Sequence, residues 1–501
     1  MQTVELLDGE PDRAPDDGGD AGTGAWLTGK PRWWLAGIAV LLVVVLGAAQ
    51  WVIRSREDAA AARLAAVDGV VAEVDGPLDI ARSYSAMDAY ALFGSEGAQL
   101  VRGDDGSLTY RWAAGTADDP GWSTPVLGPV PALADALWVS STSSCMPDVE
   151  PGEDVSTATR VVCLITDGGT KILADDGTSV EVRATTTFVE VLDTADGMPL
   201  AQWPAPRAQT YALNGEQIVL GVIEDAADVF TGRDLLAGDV RWTHEVPVTE
   251  PLLLENPMMR NVSASRAGDL VALRVSSGEL QLLSGDGRVV RDGIGGDGSS
   301  SWGWSVDPAG RLLAVFWGDD AASASVTVVA PDGDPSADRI LTGSLVQAEV
   351  DDGSVPDLVL TADSVLHAWD AKSGSELWAS TEASDLPLGT APLSVLVVRG
   401  RLYVLSEKGV AALDGRTGET LWRVDPGEGE VPTALLTDAH HLLIAYERSA
   451  RDGGSLLVAY DFAEGAEVSH IPYPTGIDHL AVWDGQLIGY DQEGTTFALL
   501  R

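Results

Sequence analysis

The chain has little positive charge, few cysteines and none of the short signatures of common catalytic sites. Its 501 residues include 31 Lys and Arg against 76 Asp and Glu, a formal net charge of −45. Lys30, Lys171, Lys372 and Lys408 are the only lysines. Phosphate backbones need a concentrated positive surface, so this balance argues against nucleic acid as a partner. It reads instead as a solvated, self-repelling surface. There are only two cysteines, Cys145 and Cys163, and no histidine lies near them. A zinc site would want four ligands, so a metal centre there is disfavoured. The pair lies in two strand-like runs, ALWVSSTSSC and TATRVVCLIT, joined by a turn-rich stretch, and a disulfide of an oxidising compartment is expected. No G-x-S-x-G, H-E-x-x-H, P-loop or dinucleotide fingerprint occurs.

Long apolar runs are also scarce, with one exception. Residues 1–30 are acidic and rich in Gly and Pro, which reads as a disordered tail. Residues 33–53, WWLAGIAVLLVVVLGAAQWVI, then supply about the length needed to cross a hydrocarbon core as a helix, with Trp at both ends. No small-x-small cleavage site follows before Arg54, so an uncleaved transmembrane anchor is expected rather than a signal peptide. The flanking basic residues by themselves favour a cytoplasmic C-terminal side. Long domains translocate largely regardless of charge, however, and the cysteine pair favours export, so the expectation is an extracytoplasmic domain on the plasma membrane. Residues 54–80 read as a juxtamembrane helix that becomes a linker near Gly76-Pro77.

What the chain has in abundance is one segment repeated. Asp370, Gly374 and Trp378 of LHAWDAKSGSELW recur 44 residues on as Asp414, Gly418 and Trp422 of VAALDGRTGETLW. The same spacing returns at Asp234, Gly238 and Trp242, more loosely at Asp193, Gly197 and Trp203, and without Trp at Asp461 and Gly465. Each part has a physical task. The apolar run before Asp suits a buried strand. The carboxylate can accept bonds from N–H groups of the following turn, Gly can take positive φ, and Trp on the next strand can cover a seam between sheets. Strands and turns at a period of about 40–50 residues point to a β-propeller of four-stranded blades over 85–501. Turn spacing gives eight blades, with seven as the alternative. The last, 478–501, is expected to borrow its outer part from QLVRGDDGSLTYRW at 99–112.

The pattern A-x-D-x-x-[ST]-G-x-x-x-W resembles the pyrroloquinoline-quinone (PQQ)-like propeller repeat, most specifically over 360–425 and less so over 187–242 and 455–470. That family includes quinoprotein dehydrogenases and the outer-membrane assembly lipoprotein of Gram-negative bacteria. The resemblance thus implies either a PQQ-dependent enzyme holding Ca²⁺ or a non-catalytic scaffold. The enzymes' adjacent cysteines are absent, since Cys145 and Cys163 are 18 apart, and their Ca²⁺ and catalytic residues map onto no position in this chain. Trp302 or Trp304 could stack a quinone, but a strand is the plainer reading. Asp332, Asp334, Ser336 and Asp338 alternate like a calcium loop, yet Ala337 and Gly343 stand where such a loop needs Gly and Glu. His440, His441 and His479 lack partners at ligand spacing. The expectation is therefore a membrane-anchored envelope propeller without cofactor or metal that binds a protein partner. A quinoprotein dehydrogenase and an extracytoplasmic sensor are the alternatives.

Overall fold

The computed structural model describes residues 55, 57, 59–67, 69–74, 76–85, 99–112, 121–134, 136–150, 155–173, 179–255, 259–295, 301–317, 324–381, 394–406, 408–447, 454–483 and 485–501. The tail expected at 1–30 and the membrane helix expected at 33–53 lie outside these residues. Among the described residues no helix is long and apolar enough to cross a membrane.

The domain is all-β, and its antiparallel sheets follow one another along the chain. Among the described residues, eight sheets have four strands or more and two have three. We number nine of them in chain order. Sheet 1 spans 99–127, sheet 2 spans 144–204 and sheet 3 spans 210–247. Sheets 4, 5 and 6 occupy 263–294, 301–342 and 344–380, and sheets 7 and 8 occupy 394–424 and 431–472. Sheet 9 joins 479–500 to Ile80–Ser85 from the other end of the domain. A tenth, small sheet of Ala136–Ser140, Gly169–Leu173 and Ser179–Val182 branches from sheet 2.

Within a sheet the strands are called a to d in order of pairing. The a strands of neighbouring sheets approach one another. The b and c strands are covered on both faces and so read as unbroken apolar runs, such as Leu442–Glu447 and Leu456–Tyr460. The d strands alternate between exposed and half-buried residues, as in Thr420–Val424. The core therefore lies between sheets. Tyr403, Leu405 and Val410 of sheet 7 pack on Leu442, Ile444 and Val458 of sheet 8, whose far face packs on Leu480 and Leu487 of sheet 9. The a–b and c–d turns lie at one end of each sheet, here the ab end. The b–c turns and the d–a connections lie at the other, the bc end.

The chain ends meet differently from the sequence expectation. Ile80–Ser85 supplies the d strand of sheet 9, pairing Ser85 with Thr496 and Ile80 with Leu500. Residues 99–112 do not complete that sheet, because with Trp122–Leu127 they form sheet 1. Sheet 7 carries an extra strand, since Val350–Asp351 leaves the a–b excursion of sheet 6 and pairs in parallel with Ser394–Val398. Cys145 and Cys163 face each other on antiparallel strands of sheet 2 and form a disulfide.

Candidate partner-binding surface

The c–d turns show how the repeat is built. The Asp370 carboxylate accepts the Ser373 N–H at 2.7 Å and the Ser373 hydroxyl at 2.8 Å, while Gly374 N–H donates to the Asp370 carbonyl at 2.7 Å. Asp414 accepts from the N–H groups of Arg416 and Thr417 at 3.0 and 2.9 Å. Asp234 accepts from those of Leu236 and Ala237 at 3.0 and 2.8 Å and pairs with Arg241 at 2.6 Å. Backbone N–H donors hold the Asp234 and Asp370 carboxyls below the usual carboxylate range. At Asp414 partial burial pushes upward, yet the turn donors outweigh it and the net shift is down. Gly238, Gly374 and Gly418 take φ of +73°, +70° and +68°.

These glycines have a second role. A Cβ on Gly418 would stand 2.6 Å from the Trp378 ring of the preceding sheet, and one on Gly465 would stand 2.6 Å from Trp422. Gly238 meets Trp203 and Gly287 meets Trp242 in the same way. Each indole N–H then donates into the sheet on which it rests. Trp203 reaches Leu235 O at 3.0 Å, Trp242 reaches Gly285 O at 3.0 Å, Trp378 reaches Gly415 O at 3.1 Å and Trp422 reaches Phe462 O at 3.2 Å. Trp122 of sheet 1 does likewise at Gly197, donating to Thr194 O at 2.7 Å. The Asp-Gly-Trp spacing does not announce Trp122, because Ala114 and Asp118 stand where the repeat has Asp and Gly. Where the d strand has no Trp other side chains stand in its place, the Arg339 stem under Gly374 and Val290 under Gly333.

The other sequence candidates are absorbed into structure. Trp302 stacks on Phe316 and closes over Gly295. Asp334 caps a short 3-10 turn through Ser336 N–H, and Asp338 pairs with Arg291 at 2.8 Å. His441 and His479 lie beside Asp438 and Glu447. Among the described residues no group of three or more His, Cys, Asp or Glu is arranged to hold a metal.

Three polar features were not read from the sequence. Glu190 lies in sheet 2 directly opposite Cys163, is 7% exposed, and its Oε2 has no partner among the described residues. Burial pushes its carboxyl up to about 7. A charge inside the apolar run FVEVL was the available signal. At the bc end, Arg260 of the connection between sheets 3 and 4 pairs with Asp228 of sheet 3 at 2.8 Å, both side chains being 1% exposed. Its guanidinium also donates to Glu224 O, Asp225 O and Ala227 O, so the buried charges are fully bonded. Above this pair Glu224, Asp225 and Glu245 line a shallow cleft of about 480 Å³ with Ala226 and Ala227, an acidic recess suited to a basic or N–H-rich segment.

The third feature is at the ab end, which residues 61–79 partly cover. Ala61, Leu64, Val70, Val71 and Leu78 are buried there. Leu64 and Val70 enter the core between sheets 7 and 8, and Val71 and Leu78 that between sheets 8 and 9. Val71 N–H donates to Thr437 O at 2.9 Å and Val74 N–H to the Asp438 carboxylate at 3.2 Å. Asp438 also accepts from His440 and His441 N–H, so one buried carboxylate fixes both the a–b turn of sheet 8 and the strap across it.

Residues 296–478 match the sequence model of the family PQQ_2, described as outer membrane protein assembly factor BamB. Among curated proteins none matches the chain. Solved structures with similarity include BamB from Moraxella catarrhalis, 16% identical, covering 63% of this chain and 88% of that one at a TM-score of 0.31. The C-terminal WD40 domain of Sif2 is 11% identical, with 68% and 89% covered and a TM-score of 0.28. Dihydro-heme d1 dehydrogenase NirN in complex with DHE is 16% identical, with 57% and 71% covered and a TM-score of 0.26. The match places PQQ-like repeats in residues 296–478, and the serial four-stranded sheets are consistent with a β-propeller.

Proposed function

We propose that this PQQ-like propeller is a non-catalytic scaffold of the bacterial cell envelope, held to the plasma membrane by residues 33–53 and exposed on its outer side. Its eight sheets of four or more strands would serve as blades, and it would work without a cofactor. The observation that carries the reading is the match of residues 296–478 to an assembly-factor family, over the stretch that includes the best-formed repeats. The repeat residues themselves support it. Asp234, Asp370 and Asp414 are engaged by their own turns, and Trp242, Trp378 and Trp422 by the next sheet. Their chemistry goes into holding sheets together, so activity must come from surfaces that the sheets present. The acidic bc-end recess offers one such surface, and electrostatics would favour a basic segment there.

The test is to purify tagged full-length protein from gently solubilised membranes and identify by mass spectrometry what accompanies it. A reproducible envelope-protein partner, with no quinone absorbance after incubation with PQQ and Ca²⁺, is expected. Stoichiometric uptake of PQQ with no protein partner would replace the scaffold by an oxidoreductase.

A further inference from the structure

We propose that the ab end of the propeller faces the lipid bilayer, with the exposed aliphatic side chains beside the c–d turns seated at the membrane surface, so that the bc end is the surface displayed. This rests on the anchored reading given above.

The first observation is where the chain enters the domain. Ala61 and Leu64 are each 3% exposed, and the strap they begin is bonded to a–b elements of sheet 8 through Val71 and Val74. Gly69 lies against the a–b excursion of sheet 6, where a Cβ would stand 2.5 Å from Glu349 O, and Val70 O approaches Gly485 in the a–b turn of sheet 9. The strap thus spans ab-end elements of sheets 6, 8 and 9. The apolar run ends at Ile53, eight residues before Ala61. Eight residues, even fully extended, span no more than about 29 Å. Strands of five to eight residues are about 17–27 Å long before turns are added. The domain is thus joined to the segment before it at the ab end, a strand's length from the bc end.

The second observation is independent of the strap. In sheets 2, 6, 7 and 8 the register shifts where the d strand leaves the c–d turn, and the residue thrown outward is Leu200, Leu377, Leu421 or Val468. These side chains are 48, 42, 42 and 53% exposed. In sheet 3 Val240, 51% exposed, lies one residue before the same place. Single exposed aliphatics are ordinary on protein surfaces. Four sheets place one at the same bulge and a fifth places one beside it, and this series lies at the end from which the strap emerges.

Charge sets the kind of lipid. The same turns carry Asp234, Asp370, Asp414 and Asp461, only partly offset by Arg241, Lys372 and Arg416. The occupant is therefore a surface of neutral headgroups, and anionic lipid would loosen the seat without releasing the tether.

The experiment uses the full chain in phosphatidylcholine nanodiscs, with the native cysteines engaged in their disulfide. A fluorophore is placed on Leu421→Cys at the ab end or on Glu428→Cys at the bc end, and energy transfer to a lipid-borne acceptor is measured. Transfer several-fold more efficient from position 421 than from 428 is expected, falling at 421 when Leu377 and Val468 are both replaced by Asp. Equal transfer, or stronger transfer from 428, would overturn the orientation while leaving the anchor intact. Failure of the protein to enter nanodiscs at all would overturn the anchored reading, and this proposal with it.

Discussion

At the residue scale, the glycine of the repeat serves two constraints, and these can be separated. Gly418 has positive φ and also supports the Trp378 ring, whereas Gly215, at φ +60°, has nothing within 4 Å of an added Cβ. Gly418→Ala should therefore cost about 2–4 kcal/mol, combining left-handed strain with overpacking, and Gly215→Ala about 1 kcal/mol. Urea denaturation of the two variants checks the difference. Glu190 supplies a pH signature. Its carboxyl holds a proton in the folded chain up to about pH 7, while in the unfolded chain it ionises near 4.5. Between those values the unfolded state binds fewer protons, so stability falls as pH rises, and below about 4.5 the difference vanishes. Glu190→Gln should thus stabilise at pH 8, on the order of 1–2 kcal/mol after allowing for solvent screening, and have little effect at pH 4. Melting curves at the two pH values measure it. Asp-x-x-[ST]-Gly was legible as a turn because its bonds are local. The Trp–Gly contact was not, because it joins one sheet to the next and the period alone does not say which glycine a tryptophan meets.

At the scale of elements, the strap and the closing strand were the least legible. Ile80–Ser85, IARSYS, lacks a strong apolar alternation, and its partners lie at the far end of the chain, Tyr84 facing Phe497. No local pattern announces such a pairing, whereas GDDGSLTYRW announces a hairpin wherever it sits. The strap read as helix and linker because its apolar residues, Val70, Val71 and Leu78, are too widely spaced to show a period. Its attachment depends heavily on Asp438. Asp438→Ala would leave Val74, His440 and His441 N–H groups without their acceptor, and should cost about 2–4 kcal/mol. Hydrogen exchange should then accelerate in residues 70–79 more than in the b strand of sheet 8. Uniform acceleration across both would show that the strap is no separate unit of stability.

For the whole molecule, composition and period led to the propeller and to an acidic, solvated exterior. They could not tell where sheet 1 ends and sheet 9 closes, since both assignments use the same number of strands. Nor does the fold name a partner, because stacked sheets leave loop ends as the variable surface. The central claim is that this surface engages a protein. Photo-crosslinking in native membranes, from a reactive residue placed at Glu224 or at Glu428 of the bc end, tests it most directly. The account predicts one reproducible envelope-protein adduct from these positions and only lipid adducts from Leu421. The absence of protein adducts from any bc-end position, in protein that co-purifies with a quinone, would contradict it.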